Sequence, residues 1–406
     1  MIIVSLFSLF VSILLIQLSS GGLGPMDVLS GVARDFSTEQ IGLMGSAHFA
    51  GFFIGCWWAP RLIGAIGHSR AFAVFAAAGT IGTLAHMLWV DPYAWSAMRI
   101  LSGMCVAGCI TVIEAWLQAK VTNTTRGRVL GIYRVVDLVG GLCSQMVIAV
   151  LEPAHYISYN ILAIFCCASL LPLALTRVQQ PATPDRLRLR PGLAYRISPM
   201  ATFGVIVAGI TTSGFRMVGP VYGIEVGLAP EQLAFFLASF ILGGAIAQYP
   251  AGWLADRFDR RKVMIGFSVA AILSCGFSVT SAGYGPSSAF LAAIILGMTT
   301  FPVYSLAAAH ANDFVDPGQV VELSSSLLFH YALGAIGSPL IIALAVSNAG
   351  PMALFVIIAV GHVALCGFAL FRMTIRPSAE KQGAYVYMPR TSFFFARLLK
   401  RRGNGT

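Results

Sequence analysis

The 406-residue sequence predicts an all-α integral membrane protein, with twelve transmembrane helices in two pseudo-symmetric six-helix bundles. Three observations carry this. Charged residues make up 10% of the chain and hydrophobic residues 57%, with a mean hydropathy of +0.80, whereas soluble domains carry about 25% charged residues. The apolar residues gather into stretches of about 20, the length that crosses a bilayer. The second half repeats landmarks of the first in the same order. This composition excludes a soluble enzyme, a disordered chain and a nucleic-acid binder. The net charge of +10 sits almost entirely in short gaps between apolar stretches, so the partner it implies is the lipid bilayer.

The stretches run at about 2–29, 40–60, 71–90, 95–119, 127–150, 157–176, 198–224, 231–255, 262–282, 286–311, 321–347 and 350–372. Met1–Leu18 lacks a positive flank and a small-residue cleavage site, so it is expected to be the first span. The expected domains are a bundle over 1–176, a cytoplasmic loop over 177–197, a bundle over 198–372 and a basic tail over 373–406. All but four of the 26 lysines and arginines fall on one side when alternate gaps and the tail are assigned to it. The exceptions are Arg34 in an outer loop and Arg99, Arg134 and Arg216 inside spans. That bias predicts a multi-pass protein of the inner or plasma membrane with both termini cytoplasmic. The eight cysteines lie in apolar stretches, so neither a disulfide framework nor a metal site is expected. No cofactor motif is legible, and Gly-x-x-x-x-Gly-Lys-[Ser/Thr] is absent.

The repeat is seen in three places. Ser20 to Gly24-Pro25 answers to Ser213 to Gly219-Pro220, and Thr38-Glu39-Gln40 to Pro230-Glu231-Gln232. Ala59-Pro60-Arg61 answers to Ala255-Asp256-Arg257, with offsets of 195, 192 and 196 along the chain. The eighth span ends Gly252-Trp-Leu-Ala-Asp256-Arg257-Phe-Asp259-Arg260-Arg261. This resembles the inner-loop signature of the major facilitator superfamily, Gly-x-x-x-Asp-Arg-x-Gly-Arg-Arg. Asp259 replaces the second glycine, and aspartate tolerates left-handed backbone better than most residues. The resemblance implies secondary transport by alternating access, the bundles rocking about a central site. It also implies that this motif holds an inner gate, with Asp256 meeting the positive end of span eleven and the nearby arginines. The alternative is a plain basic loop. The first-half copy is degenerate, with Pro60 in place of the aspartate and Arg61, Gly67 and Arg70 retained. Ala59-Pro60-Arg61-Leu-Ile, Glu114-Ala-Trp116 and His310-Ala-Asn312-Asp313 resemble the YcaD-like subgroup, which implies a solute carrier without a defined substrate.

Ionisable residues inside spans are costly, about 2.5–3.5 kcal/mol each on insertion scales, and therefore mark candidate sites. Arg99, Gly103, Ile110 and Glu114 share a face of span four. Arg134, Asp137, Gly141 and Gln145 share a face of span five. The hairpin around Asn123 places Glu114 and Arg134 at similar depth, with Asp137 about a turn deeper and able to share Arg134. The set either binds substrate and protons or is a static ion pair joining two helices. Asp137 is the stronger proton-site candidate, and Arg99 with Gly103 fits a superfamily pattern linked to proton coupling. Arg216 in span seven either binds an anionic group or snorkels. Gln17 and Gln248 are neutral contact candidates or helix–helix hydrogen bonds. Asp313, Asp316 and Glu322 make one acidic inner loop, which either docks on basic loops or is a capped turn. The tail around Phe393–Arg402 reads as a basic amphipathic anchor.

The expected function is secondary transport of a small organic solute, coupled most simply to protons, by a protein that is not an enzyme. Three intramembrane arginines against two firm carboxylates lean the solute towards an anion or zwitterion. The alternatives are drug or lipophile efflux, and a non-transporting receptor or assembly factor on the same scaffold. Oligomeric state is not legible.

Overall fold

A computed structural model describes residues 6–120, 126–175, 190–316 and 319–375, and all regular elements among them are helices. In chain order these are α1 (Phe7–Ala33), α2 (Thr38–Ile66), α3 (His68–Ala85), α4 (Pro92–Lys120), α5 (Arg126–Ile148), α6 (Tyr156–Ala168) and the short α7 (Leu170–Ala174). After these come α8 (Gly192–Ile197), α9 (Pro199–Glu225), α10 (Pro230–Arg257), α11 (Arg260–Thr280), α12 (Pro286–Thr300), α13 (Pro302–Asn312), α14 (Val320–Ala349) and α15 (Ala353–Ile375). Joining α6 to α7 and α12 to α13 as single runs, eleven of the resulting helices are long and apolar enough to cross a membrane. The remaining long helix, α3, opens on His68, Ser69 and Arg70, which lowers its hydropathy. The described residues fall into two compact units, one within Met1–Leu187 and one within Arg188–Thr406. The Asn123 turn, Arg177 to Leu189 of the expected central loop and the tail from Arg376 lie outside the described residues.

The repeated sequence landmarks become repeated local structure. Ser37 and Gln40 close a capping box at the start of α2: the Gln40 N–H donates to Ser37 Oγ, and the Ser37 N–H donates to Gln40 Oε1. These bonds satisfy donors that a helix N-terminus otherwise leaves unpaired. Gln232 does the same for the Ala229 N–H at the start of α10, where Pro230 has no N–H to satisfy. Pro25 and Pro220 lie inside α1 and α9.

Packing repeats as well. Helices α2 and α4 meet through glycines: a Cβ on Gly51 would overlap the Ile100 carbonyl, and one on Gly103 would overlap the His48 carbonyl. In the second unit, Gly243 stands in the same relation to Ile294 on α12, and Gly297 to Phe240 on α10. In lipid, helices associate by close backbone approach rather than by a hydrophobic drive, so small residues are needed at those crossings.

One boundary differs from the sequence reading. The last part of the expected central loop is helix α8, docked on α14. The Ala194 N–H donates to Ser326 Oγ (2.9 Å), Ser326 Oγ donates to the Pro191 carbonyl (2.6 Å), and Arg190 pairs with Glu322 at 3.1 Å. Ser198 then caps α9 by accepting from the Ala201 N–H.

Candidate functional site

The first unit buries two charge clusters, one at each end of α4. Arg99 and Glu114 are fifteen residues apart, about 22 Å along a helix axis. They share a stripe along α4, yet each serves a different cluster.

The cluster expected from the sequence assembles as a hairpin contact between α4 and α5. Glu114, 1% exposed, accepts from Tyr133 Oη at 3.0 Å and lies 3.6 Å from Arg134 Nη2. Arg134 Nη1 is 3.3 Å from Asp137 Oδ2, and Gln17 of α1 donates to the other Asp137 oxygen. Arg134 also stacks over the Tyr133 ring at 5.1 Å. Arg134 therefore sits between two carboxylates. Glu114 is sealed, while Asp137 keeps 23% of its side chain exposed. Gln145 stands outside this cluster: it donates to the Gly21 carbonyl at 3.2 Å and to Ser144 Oγ at 3.1 Å, tying α5 to α1.

Arg99 belongs to the second cluster, centred on Asp27, a residue the sequence reading passed over. Asp27 lies within α1 and is 2% exposed. Tyr159 of α6 donates to its Oδ1 at 2.9 Å. Its Oδ2 lies 3.4 Å from Arg99 Nη1 and 3.4 Å from His86 Nε2. His86 caps the C-terminus of α3 and is stacked on Tyr159 with ring centroids 5.2 Å apart. Trp95 closes the remaining side, its indole N–H donating to the His86 carbonyl at 2.8 Å. Asp27, His86, Arg99 and Tyr159 are each 2% exposed or less. A signal for this cluster was available, because Asp27 is an acid inside the first apolar stretch. Its partners come from three other helices, which no spacing along one helix relates.

In the second unit the signature motif forms a compact ion-pair network. Arg260 Nη1 donates to Asp313 Oδ1 and to the Ala309 carbonyl, both at 2.7 Å, with the Arg260 and Asp313 side chains 4% and 6% exposed. Asp256 is 44% exposed and reaches Arg260 at 4.0 Å, so Asp313 rather than the motif aspartate makes the short pair. Asp313 is thus docked on a basic motif residue rather than serving as a turn alone. Asp259 departs from the expected left-handed turn. It has φ −58° and caps α11 by accepting from the Arg261 N–H, and its carboxylate is gripped by the Arg261 guanidinium at 2.8–3.2 Å. Burial alone would raise the Asp259 pKa, but the Arg261 hydrogen bonds and charge outweigh it and hold the carboxyl below the ordinary range. Gly67, at the equivalent place in the first unit, does adopt φ +81°, where glycine is free of strain. Gly252 is buried, and Arg257 and Arg61 stack over Trp253 and Trp57 at 4.3 and 4.0 Å. Arg70 and Arg216 are exposed, and Gln248 is half-buried.

Comparison with known proteins agrees with this architecture. Residues 201–386 match the family model of the Major Facilitator Superfamily. An uncharacterized MFS-type transporter of Enterobacter sp. (strain 638) is 27% identical over 353 residues, covering 86% of this chain and 91% of that protein. The uncharacterized MFS-type transporter YcaD of Salmonella paratyphi A is 28% identical over 355 residues, with the same coverage. Among solved structures, the nucleoside transporter NupG superposes with a TM-score of 0.73 at 16% identity, over 92% of this chain and 99% of that one. A D-xylose–proton symporter superposes with a TM-score of 0.71 at 12% identity, over 94% of this chain and 100% of that one. The fold is that of the superfamily, and the likeness to YcaD-type transporters extends over most of the chain.

Proposed function

We propose that this chain, a major facilitator protein by fold and by sequence likeness, is a secondary active transporter that moves a small organic solute by alternating access, driven by protons. The observation that carries the reading is the pair of buried acid–arginine clusters in the first unit. Removing such charges from water costs several kcal/mol per ion, and well-packed apolar side chains would be at least as stabilising there. A carboxylate enclosed by an arginine, a histidine and a tyrosine changes its interactions with several helices whenever its charge changes. A carrier needs that coupling, and a passive scaffold does not.

The solute is a different matter. With Asp27 included, the three intramembrane arginines, Arg99, Arg134 and Arg216, are matched in number by three carboxylates, Asp27, Glu114 and Asp137. The excess of intramembrane arginines that leaned the sequence reading towards an anion is gone. The similar structures carry a nucleoside and a pentose with a proton, but at 12–16% identity they speak for the fold alone. We place both termini on the cytoplasmic side, on the lysine and arginine bias.

The test is solute counterflow and pH-gradient-driven uptake in proteoliposomes, with candidates chosen by thermal stabilisation of the purified protein. A ligand at 100 times its Kd stabilises by about 2.7 kcal/mol. Counterflow that responds to a pH gradient supports the proposal. Stabilisation by a ligand without counterflow would instead identify a receptor, and hits confined to lipophilic cations would favour drug efflux.

A further inference from the structure

We propose that a small cavity at the basic end of the second unit binds a phosphate group. The proposal does not depend on the transport reading.

Four helix ends wall this cavity. Ser198 and Met200 come from the start of α9 and Arg261 from the start of α11, while His310 comes from the end of α13 and Arg372 from the end of α15. The volume is about 20 Å³, and one water needs about 10–15 Å³. The cavity therefore admits a single oxygen atom rather than a whole sugar or nucleotide.

Its wall carries donors and positive charge. Around the first turn of α9, the Ser198 N–H donates to the Ala194 carbonyl and the Ala201 N–H to Ser198 Oγ. Pro199 has no N–H. The Met200 N–H is the remaining donor of that turn, and it has no partner among the described residues. Arg261 already grips Asp259 through Nε and Nη2 at 2.8–3.2 Å. Arg372 makes no ion pair or hydrogen bond among the described residues. A guanidinium beside the positive end of a helix is unfavourable unless an anion lies between them. The alternative is that Arg372 only flanks the last span, as charge bias and the dipole of α15 both favour. A flanking arginine turns to water, as the exposed Arg196 does just ahead of α9. Arg372 is instead half-buried and lines the cavity.

Phosphate suits this wall. Its oxygens accept in directions that match the planar fork of an arginine. One oxygen fills the cavity, accepting from the Met200 N–H and the Arg372 guanidinium, and the others stay at the mouth. Around Arg372, the α15 side chains Leu370, Phe371 and Ile375 are each more than half exposed. They offer an apolar surface for acyl chains, and basic pockets between membrane helices hold lipid head groups. A phospholipid and free phosphate present the same oxygens, and the experiment separates them.

The experiment is thermal unfolding of the delipidated, detergent-purified protein at constant ionic strength. The additions, each made alone, are dioleoyl phosphatidic acid, dioleoylglycerol as the phosphate-free control, and inorganic phosphate. The wild type is compared with Arg372→Ala, Arg372→Lys and Arg196→Ala. A ligand that binds only the folded protein raises its melting temperature. Phosphatidic acid is expected to raise that of the wild type, and dioleoylglycerol is not. The shift should be lost in Arg372→Ala and kept in Arg196→Ala. It should be reduced in Arg372→Lys, which keeps the charge without the fork and serves if Arg372→Ala does not fold. An Arg372-dependent shift from phosphatidic acid alone identifies a lipid head group, and one from inorganic phosphate identifies a free anion. The proposal is overturned by no shift from either, by an equal shift from dioleoylglycerol, or by a shift that survives in both Arg372 variants. It is also overturned if Arg196→Ala weakens the shift as much as Arg372→Ala, because attraction to the whole basic face would then replace a site.

Discussion

Replacing Arg260 by alanine removes a guanidinium donor from Asp313, a carboxylate 6% exposed. Two 2.7 Å hydrogen bonds disappear, one to Asp313 Oδ1 and one to the Ala309 carbonyl, leaving both acceptors buried. The lost contact to Asp256 matters little, because that side chain is 44% exposed and 4.0 Å away. Breaking one side of a buried ion pair costs about 3–5 kcal/mol. For a unit of this size each kcal/mol lowers the melting temperature by about 2–4 °C, so R260A should melt about 6–20 °C below the wild type. The assay is thermal unfolding of the detergent-purified protein, followed by intrinsic fluorescence. The double variant Arg260→Met with Asp313→Leu removes both charges and should recover most of the loss, because an apolar pair of similar volume avoids the desolvation cost. R260A melting within about 2 °C of the wild type would refute the reasoning, as would a double variant no more stable than the single one.

Glu114→Ala should destabilise the protein more than Asp137→Ala, by about 2 kcal/mol or more in thermal melts. Glu114 is sealed and is bonded by both Tyr133 and Arg134, while Asp137 is partly exposed and its loss leaves Arg134 still paired. Gly103→Val should abolish monodisperse elution on size exclusion, because its Cβ would overlap the His48 carbonyl. Gly64→Ala, with nothing within 4 Å of the added Cβ, should elute as the wild type does. The Asp259–Arg261 contact contributes stability above the unfolded carboxylate pKa and loses it as pH falls through the lower folded value. Asp259→Asn keeps an acceptor for the Arg261 N–H but carries no charge, so its melting temperature should fall less than that of the wild type on acidification below about pH 4.

Much of this molecule was readable from side chains in order. Thr38-Glu39-Gln40 and Pro230-Glu231-Gln232 open α2 and α10 because a helix start needs local acceptors for its orphan N–H groups, and the residues that supply them lie three positions apart. The Glu114–Arg134–Asp137 set was readable because only five residues separate α4 from α5, so depth along both helices can be counted from the gap between them. The exchange of partners in the signature motif was not readable. Arg260 chooses Asp313 over Asp256, four residues before it, because Asp313 is the carboxylate brought into the buried space beside its guanidinium.

Hydropathy, charge bias and the internal repeat determined the all-helical membrane class and the two six-helix halves, because the bilayer imposes a length and a polarity on every span, while the superfamily likeness rested on the resemblance of the Gly252–Arg261 motif. Only the tertiary structure decided that Asp27, His86, Arg99 and Tyr159 form one site. These four residues come from α1, α3, α4 and α6, and only Arg99 among them stood out in the sequence, on a face it shares with Glu114 rather than with the other three. Periodicity relates residues along a helix, and turn geometry relates adjacent helices. Neither specifies which faces of non-adjacent helices meet, and that meeting sets the distances from which the chemistry of the cluster follows.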